Sequence, residues 1–362
     1  MSEAKKSSGR LAFIDWTRGL AALIMLQGHT FDSFTSSGLR TQGPYVLSQF
    51  AGGLPPAIFL FLTGMTFAFL MHSQEKKQVS GWRRILAALK RSRYLFLLAF
   101  LFRIQLFVFG YPDSPANQLL KVDILNCMGM AMLIFAPMAV FTTRERIRLC
   151  TILGLVVACL SPFVSMIDPS NVPAIAASYF FPSYNEFGFF PWAAFLAFGM
   201  AGGSAIRLVK REDLGRAMLW TMCIGLALAI GAHYVSNLPY SVYPQSKFWL
   251  NSPGLILIKL GMVLMLLALA YLWIQGTGLR RWSLMRQLGT TSLLVYWVHI
   301  ELVYGRWFGS WKQSLSVGQV VAFTVVLIAA MTGLSVLRTH FRKPTAFFGG
   351  SPAPAPRPAS GD

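Results

Sequence analysis

The chain has 362 residues, of which 55% are hydrophobic and 12% are charged, and its formal net charge is +19. A soluble protein carries about a quarter charged residues, so this composition excludes ordinary water-soluble domains and indicates a protein whose solvent is lipid. The 32 lysines and arginines lie in short clusters between apolar runs. That pattern is typical of membrane-protein loops and not of the single basic face that binds nucleic acid, so no nucleic-acid partner is expected.

Ten apolar stretches follow one another along the chain, and most approach the ~20 residues that cross a hydrocarbon core. They predict an all-α polytopic integral membrane bundle of about ten transmembrane helices. The stretches are residues 12–31, 50–71, 94–110, 122–141, 149–167, 189–206, 217–236, 253–274, 288–304 and 317–337. A transmembrane domain is therefore expected over residues 11–340, after a cytoplasmic segment at 1–10. The composition of residues 341–362, rich in Pro, Ala, Gly and Ser, predicts a disordered cytoplasmic tail.

The distribution of basic residues predicts the orientation of these helices. With the N-terminus inside and ten crossings, 24 of the 32 lysines and arginines fall on the inner side and five on the outer side. Cytoplasmic loops carry an excess of Lys and Arg, so both termini are predicted to be cytoplasmic. Membrane lipids with anionic headgroups are expected partners of the basic loops.

The first predicted helix carries three ionisable residues, Asp15, Arg18 and His29. Ionisable groups inside a membrane helix cost roughly 2.5–3.5 kcal/mol each on insertion scales, which makes them the first candidates for function. Arg18 and His29 lie on one stripe, about 16 Å apart along the axis, because their separation comes to about three helical turns. Asp15 lies one turn before Arg18 and is predicted to pair with it. The alternative is a purely structural ion pair, with His29 at the outer helix end.

Polar residues near the outer ends of two later helices are further candidates. Asp123 and Asn126 open the fourth helix, and the ninth helix carries Tyr296, His299 and Glu301. Tyr296 and His299 share a face, whereas Glu301 points about 160° away from His299. The simpler alternatives are a helix cap for Asp123 and an interhelical hydrogen bond for His299.

Three other residues of the apolar segments, Trp192, Arg103 and Lys259, are polar or amphipathic. Trp192 is a candidate site partner that also fits an interfacial anchor. Arg103 and Lys259 fit side chains whose charges extend toward the membrane surface. The four cysteines lie in or beside apolar segments without a CxxC pair, so buried thiols are expected, and neither a metal site nor a disulfide.

Several motifs, taken in order, resemble a known family. Residues 10–29 resemble the start of the heparan-α-glucosaminide N-acetyltransferase catalytic-domain family, whose members are multispanning acyltransferases common in bacteria. The Arg-x10-His spacing from Arg18 to His29 is also similar to that of the membrane acyltransferases that O-acylate bacterial surface polysaccharides. The other matching motifs are FLFLTGMTFAF (59–69), VDILNCMGMA (122–131), FFPWAAFLAFGM (189–200) and LGTTSLLVYWVHIELVYG (288–305).

The resemblance implies that the domain at 11–340 is an acyltransferase of the bacterial inner membrane. It implies transfer of an acyl group, with acetyl the first candidate, from cytoplasmic acyl-CoA to a hydroxyl or amino group of an outer glycan or glycolipid. His29 would be catalytic, either as general base or as the nucleophile that carries the acyl group. Arg18 and Asp15 would complete the catalytic set deeper in the helix, with Arg18 against the cofactor or orienting Asp15. Arg18, Arg83 and Arg84 are the predicted contacts of the acyl-CoA phosphates.

Two other classes of function stay open from the sequence. A secondary transporter of a small solute would suit the Gly/Pro-interrupted helices and the intramembrane charges, although no inverted repeat is evident. A non-catalytic scaffold would leave the ionisable residues of the first helix without a purpose. The sequence also leaves open the acceptor, the oligomeric state (a homodimer included) and the role of the aromatic outer loop at 168–188, which fits an interfacial belt, a lid or an acceptor-binding surface.

Overall fold

The computed structural model describes residues 11–112, 114–278 and 282–341; the predicted segment at 1–10 and the tail from 342 lie outside these residues. The described residues form fourteen α-helices and no β-strand. The helices are α1 (Ala12–Phe34), α2 (Gly43–Gly52), α3 (Pro55–Lys76), α4 (Gly81–Gly110), α5 (Ile124–Ile134), α6 (Thr143–Val164), α7 (Ala174–Phe180), α8 (Phe189–Leu208), α9 (Leu214–Ser236), α10 (Phe248–Asn251), α11 (Pro253–Thr277), α12 (Leu284–Thr290), α13 (Ser292–Tyr304) and α14 (Val317–Phe341).

The polytopic helical bundle predicted from the sequence is confirmed. All ten apolar stretches coincide with helices, and seven helical stretches of the described chain are long and apolar enough to cross a membrane, with α2 and α3 counted together. The other predicted crossings correspond to α1, which carries charged residues, to the eleven-residue α5, and to α12 followed by the thirteen-residue α13. The count of ten crossings and the orientation stay predictions.

Two helices differ from their predicted extents. The third stretch was predicted to begin at 94, but α4 begins at Gly81, because residues 81–93 contain good helix formers and long basic side chains that can extend to the membrane surface. The stretch at 288–304 was predicted as one helix, but the chain breaks at Thr291, whose φ of −119° and ψ of 18° are not helical. The short helices α7 and α10 lie in loops and are too short to give an apolar periodic signal.

Close helix pairs depend on glycines that lie against backbone. A Cβ added at Gly64 of α3 would overlap the carbonyl oxygen of Leu196 in α8, and one added at Gly199 would overlap that of Phe61. Gly19 of α1 approaches the backbone of α12 in the same way. Small residues at such contacts let membrane helices approach closely and gain van der Waals packing.

Helix α1 lies at the centre of the bundle and belongs to both of its cores. Phe13 and Ala21, in its first half, pack in the larger core cluster, while Leu26 and Phe34, in its second half, pack in a smaller one with α13 and α14. We call the end of the bundle where α1 begins the near end and the end where it finishes the far end. Helix α4 begins at the near end and finishes at the far end.

Candidate active site

A cavity of about 1350 Å³ runs beside α1 and α4. Its lining includes both Ala87 and Gly110 of α4, and because α4 is continuous between them the cavity extends over about 35 Å along that helix. This length exceeds the ~30 Å hydrocarbon core of a bilayer. The cavity lining therefore includes residues near both ends of the bundle.

Cations lie at both ends of this cavity. Arg18, Lys90 and Arg91 line its near end, where α1 and α4 begin, and Arg306 and Lys312 line its far end. The Lys312 amine donates to Ser33 Oγ at 2.9 Å and lies over the Tyr304 ring, 5.7 Å from its centroid. Burial lowers the pKa of this amine, and the nearby Asp32 carboxylate opposes that effect.

His29 lines the cavity and contacts the second predicted histidine. Its Nδ1 lies 2.9 Å from Nε2 of His299, and the planes of the two rings differ by 14°. His299 is fully buried, and its Nδ1 lies 2.8 Å from the carbonyl oxygen of Val295. The structure thus joins α1 and α13 through two imidazoles, one of which faces the cavity.

A carboxylate lies one turn beyond His29. The Tyr304 hydroxyl donates to Asp32 Oδ2 at 3.0 Å, and the Tyr304 ring lies edge-on to His29 with centroids 5.3 Å apart. Tyr45 donates to the other carboxylate oxygen at 3.4 Å. Asp32 is therefore held at the far end of the His29 face by two phenols.

The predicted Asp15–Arg18 pair is present at the near end. Arg18 Nη1 donates to Asp15 Oδ1 at 3.2 Å, and Asp15 is buried whereas the Arg18 side chain is partly exposed. Because Arg18 also lines the cavity, its guanidinium is positioned at the near-end entrance and oriented by Asp15.

A second buried ion pair lines the far half of the cavity. Arg103 Nε lies 3.4 Å from Asp123 Oδ2, and both residues line the cavity. Asp123 Oδ1 also accepts from the backbone N–H groups of Leu125 and Asn126 at 2.9 and 3.1 Å. Asp123 is therefore a helix cap and a member of the cavity wall at once.

The comparison with protein families identifies the chain. A family model described as an acyltransferase domain matches residues 11–339, nearly the whole described chain. The chain belongs to this acyltransferase family. No curated protein matches it. Family membership favours an enzyme over the transporter and the scaffold, and it agrees with the acyltransferase half of the sequence resemblance.

Only some of the predicted site residues of this acyltransferase line the cavity. Tyr296 lines it and lies edge-on to His299, with centroids 5.9 Å apart. Asn126 does not line it, and its side-chain amide donates to the Lys121 carbonyl at 3.3 Å. Glu301 points away from His299, as its helical position predicts, and accepts from the Trp307 indole N–H at 3.0 Å.

Three other predicted residues lie away from the cavity lining. Trp192 packs beneath Lys259, whose amine is 5.0 Å from the ring centroid. Arg84 donates to the Val140 carbonyl at 3.0 Å, and Arg83 is exposed on the same first turn of α4. Basic residues further along α4 line the cavity instead.

Sequence reasoning missed several cavity residues of this acyltransferase. Lys90 and Arg91 were placed in a loop because α4 was predicted to begin later. Arg103 was interpreted as a charge extending to the surface, although it pairs with Asp123. The sequence contained one signal for Asp32, because Asp32 lies one helical turn after His29. Its contact with Tyr304 could be seen only in the folded structure.

Proposed function

We propose that this acyltransferase moves an acyl group, with acetyl the first candidate, from cytoplasmic acyl-CoA to a hydroxyl or amino group on an extracytoplasmic glycan or glycolipid, in a bacterial inner membrane. The observation that supports this most is the single cavity that passes His29 and has lining residues near both ends of the bundle. A donor that enters at one end and an acceptor at the other can meet at His29 only through such a space. The resemblance to the heparan-α-glucosaminide N-acetyltransferase family adds support for the acetyl group and the glycan.

The near end of the cavity has the charge that an acyl-CoA needs. Arg18, Lys90 and Arg91 are cations at that entrance. Arginine holds phosphate by two parallel hydrogen bonds, and lysine holds it as a point charge. The donor's phosphates would bind there, with the pantetheine chain extending along the apolar wall toward His29.

His29 would carry the proton or the acyl group. As a general base, it would accept the proton of the acceptor hydroxyl or amine while the acceptor oxygen or nitrogen bonds to the thioester carbonyl carbon. The C–S bond then breaks, and the leaving thiolate receives the proton from the imidazolium. As a nucleophile, His29 would instead bond to the carbonyl carbon as the C–S bond breaks and the thiolate leaves. The acceptor oxygen or nitrogen would then take the acyl group from His29, and the acceptor's proton would pass to the thiolate. Both routes use the same cavity-facing imidazole.

The far end of the cavity offers groups that bind sugars. Asn185, Tyr304 and Lys312 line it, and amide, phenol and ammonium groups donate hydrogen bonds to hydroxyl and carboxylate oxygens. Asn185 comes from the aromatic loop at 168–188, whose role the sequence left open among an interfacial belt, a lid and an acceptor-binding surface. These groups support the proposal that the acceptor is polar and reaches the cavity from the far side.

Purified protein in detergent tests this function by acetyl-CoA binding and by thiol release with candidate glycans. We expect saturable binding for the wild type and a fall in kcat of about 10²–10⁴-fold for His29→Ala, because the proton acceptor is removed. His233→Ala is the matched control, since His233 lies on α9 outside the cavity lining and should leave turnover unchanged. Folded wild-type protein that binds no acyl-CoA would overturn the proposal.

A further inference from the structure

We propose that His299 is a positioning residue that holds His29 in the tautomer protonated on Nδ1, so that His29 Nε2 offers its lone pair to the cavity. This inference rests on the proposed function for its catalytic consequence. The tautomer itself follows from the hydrogen-bond geometry and can be measured without turnover.

The Val295 carbonyl determines which nitrogen of His299 carries a hydrogen. A carbonyl oxygen only accepts hydrogen bonds, so the His299 Nδ1 that lies 2.8 Å from it carries a hydrogen. His299 is 0% exposed, and no ion pair to it occurs among the described residues. Because an unpaired charge at such a position is costly, His299 is neutral and its Nε2 holds a lone pair.

The second assignment concerns the contact between the two rings. His299 Nε2 can now only accept, so His29 Nδ1 at 2.9 Å must donate to it. The ring centroids are 5.2 Å apart and the planes differ by 14°. Nearly parallel rings whose centroids are much further apart than the two nitrogens lie side by side, which directs the N–H along the line between them.

The position of this hydrogen determines the state of the other nitrogen of His29, Nε2. A neutral imidazole with its hydrogen on Nδ1 has a free lone pair on Nε2, and no hydrogen bond to Nε2 occurs among the described residues. This is the nitrogen available to accept a proton or to attack a thioester. When Nε2 gains a proton, the Nδ1–H bond to His299 becomes charge-assisted and stabilises the imidazolium.

His299 also excludes the wrong tautomer. Without an acceptor beside Nδ1, the His29 hydrogen is free to move to Nε2, and the cavity-facing nitrogen then has no lone pair. Loss of the group that fixes a catalytic histidine's tautomer lowers turnover by up to about 10⁴-fold in a serine-protease triad. The same logic predicts a loss of about 10²–10⁴-fold here.

Solid-state ¹⁵N NMR of protein labelled on histidine nitrogens in lipid vesicles tests the tautomer directly. The chain has five histidines, so variants of His72, His233 and His340 assign the spectrum. We expect a pyrrole-type signal for His29 Nδ1 and a pyridine-type signal for His29 Nε2. A hydrogen on His29 Nε2, or on both nitrogens at neutral pH, would overturn the inference whatever the activity.

Two substitutions separate positioning from packing. His299→Phe keeps a planar ring but removes the acceptor, and His299→Gln keeps an acceptor oxygen near the Nε2 position. In thiol-release assays we expect the Phe variant to lose kcat with little change in the KM for acetyl-CoA, and the Gln variant to recover a tenfold or larger part of that loss. The Gln variant should also keep the His29 hydrogen on Nδ1, whereas the Phe variant should shift it.

The outcomes distinguish this inference from the proposed function. Wild-type kcat in folded His299→Phe, or equal losses in the Phe and Gln variants, would overturn the positioning role while leaving the acyltransferase intact. Absence of acyl-CoA turnover in the wild type would overturn the proposed function and its catalytic consequence, and the NMR spectrum would still decide the tautomer.

Discussion

At the scale of single residues, the site depends on what surrounds one imidazole. His29 has His299 on one side and the ring of Tyr304 on another, and Tyr304 in turn binds Asp32. The Asp32 carboxylate is the nearest anion along α1 to the charge that would form on His29. An opposite charge within about 4–6 Å favours the charged form of a base, and a longer separation weakens the effect without changing its sign.

Asp32→Asn tests this carboxylate. We expect kcat to fall by about tenfold, because the imidazolium loses a stabilising charge, while acetyl-CoA affinity stays the same because Arg18 lies about 21 Å away along α1. Steady-state thiol release and a binding titration measure the two effects.

Asp168→Asn is the control for this substitution. Asp168 is an exposed residue in the loop after α6 and bonds only to its own loop, at Ser170. Equal kcat values in the Asp32 and Asp168 variants would contradict a role for the Asp32 carboxylate.

The sequence could identify some of these residues and not others. Asp15, Arg18 and His29 share one helix, so their common stripe follows from helical geometry alone. The contact between His29 and His299 joins residues on helices far apart in sequence, and no local pattern determines that packing. Lys90 and Arg91 were missed for a different reason, since an apolar run marks the hydrocarbon core of a helix and not its basic first turns.

At the scale of helices, the bundle is held by backbone-to-backbone approach at glycines. Gly64 of α3 and Gly199 of α8 each lie against a carbonyl of the other helix. The helices themselves were predictable, because each is an apolar run of membrane-spanning length. Their partners were not, because glycines occur throughout the chain, and many of those that the structure describes have open space around them or contact only side chains.

Gly64→Ala tests this packing. The added methyl would overlap the Leu196 backbone, which cannot move without shifting α8, so we expect a loss of about 1–3 kcal/mol in unfolding free energy and a lower thermal midpoint in detergent. Gly231→Ala on α9 is the control, since nothing lies within 4 Å of the added Cβ. A Gly64 variant as stable as the Gly231 variant would contradict this account of the α3–α8 contact.

At the scale of the whole molecule, the cavity lining has a different character at each end of the bundle. The near end has the basic residues of α1 and α4, and the far end has the polar loops around Asn185 and Lys312. Most lysines and arginines of the sequence fall on the side predicted to be cytoplasmic, which is the side from which the proposed acyl-CoA donor would enter. The cavity is a property of the folded chain, because it lies between α1, α4 and α13.

Sidedness of donor use in proteoliposomes tests the central claim most directly. Protein is reconstituted in vesicles, its orientation is determined by protease access to a tag on the N-terminus, and membrane-impermeant acetyl-CoA is supplied to one face at a time. We predict that thiol release occurs only when acetyl-CoA is on the face that bears the N-terminus, and that Arg18→Ala raises the KM for acetyl-CoA there. Turnover of acetyl-CoA supplied only to the opposite face would contradict entry of the donor at the near end of the cavity.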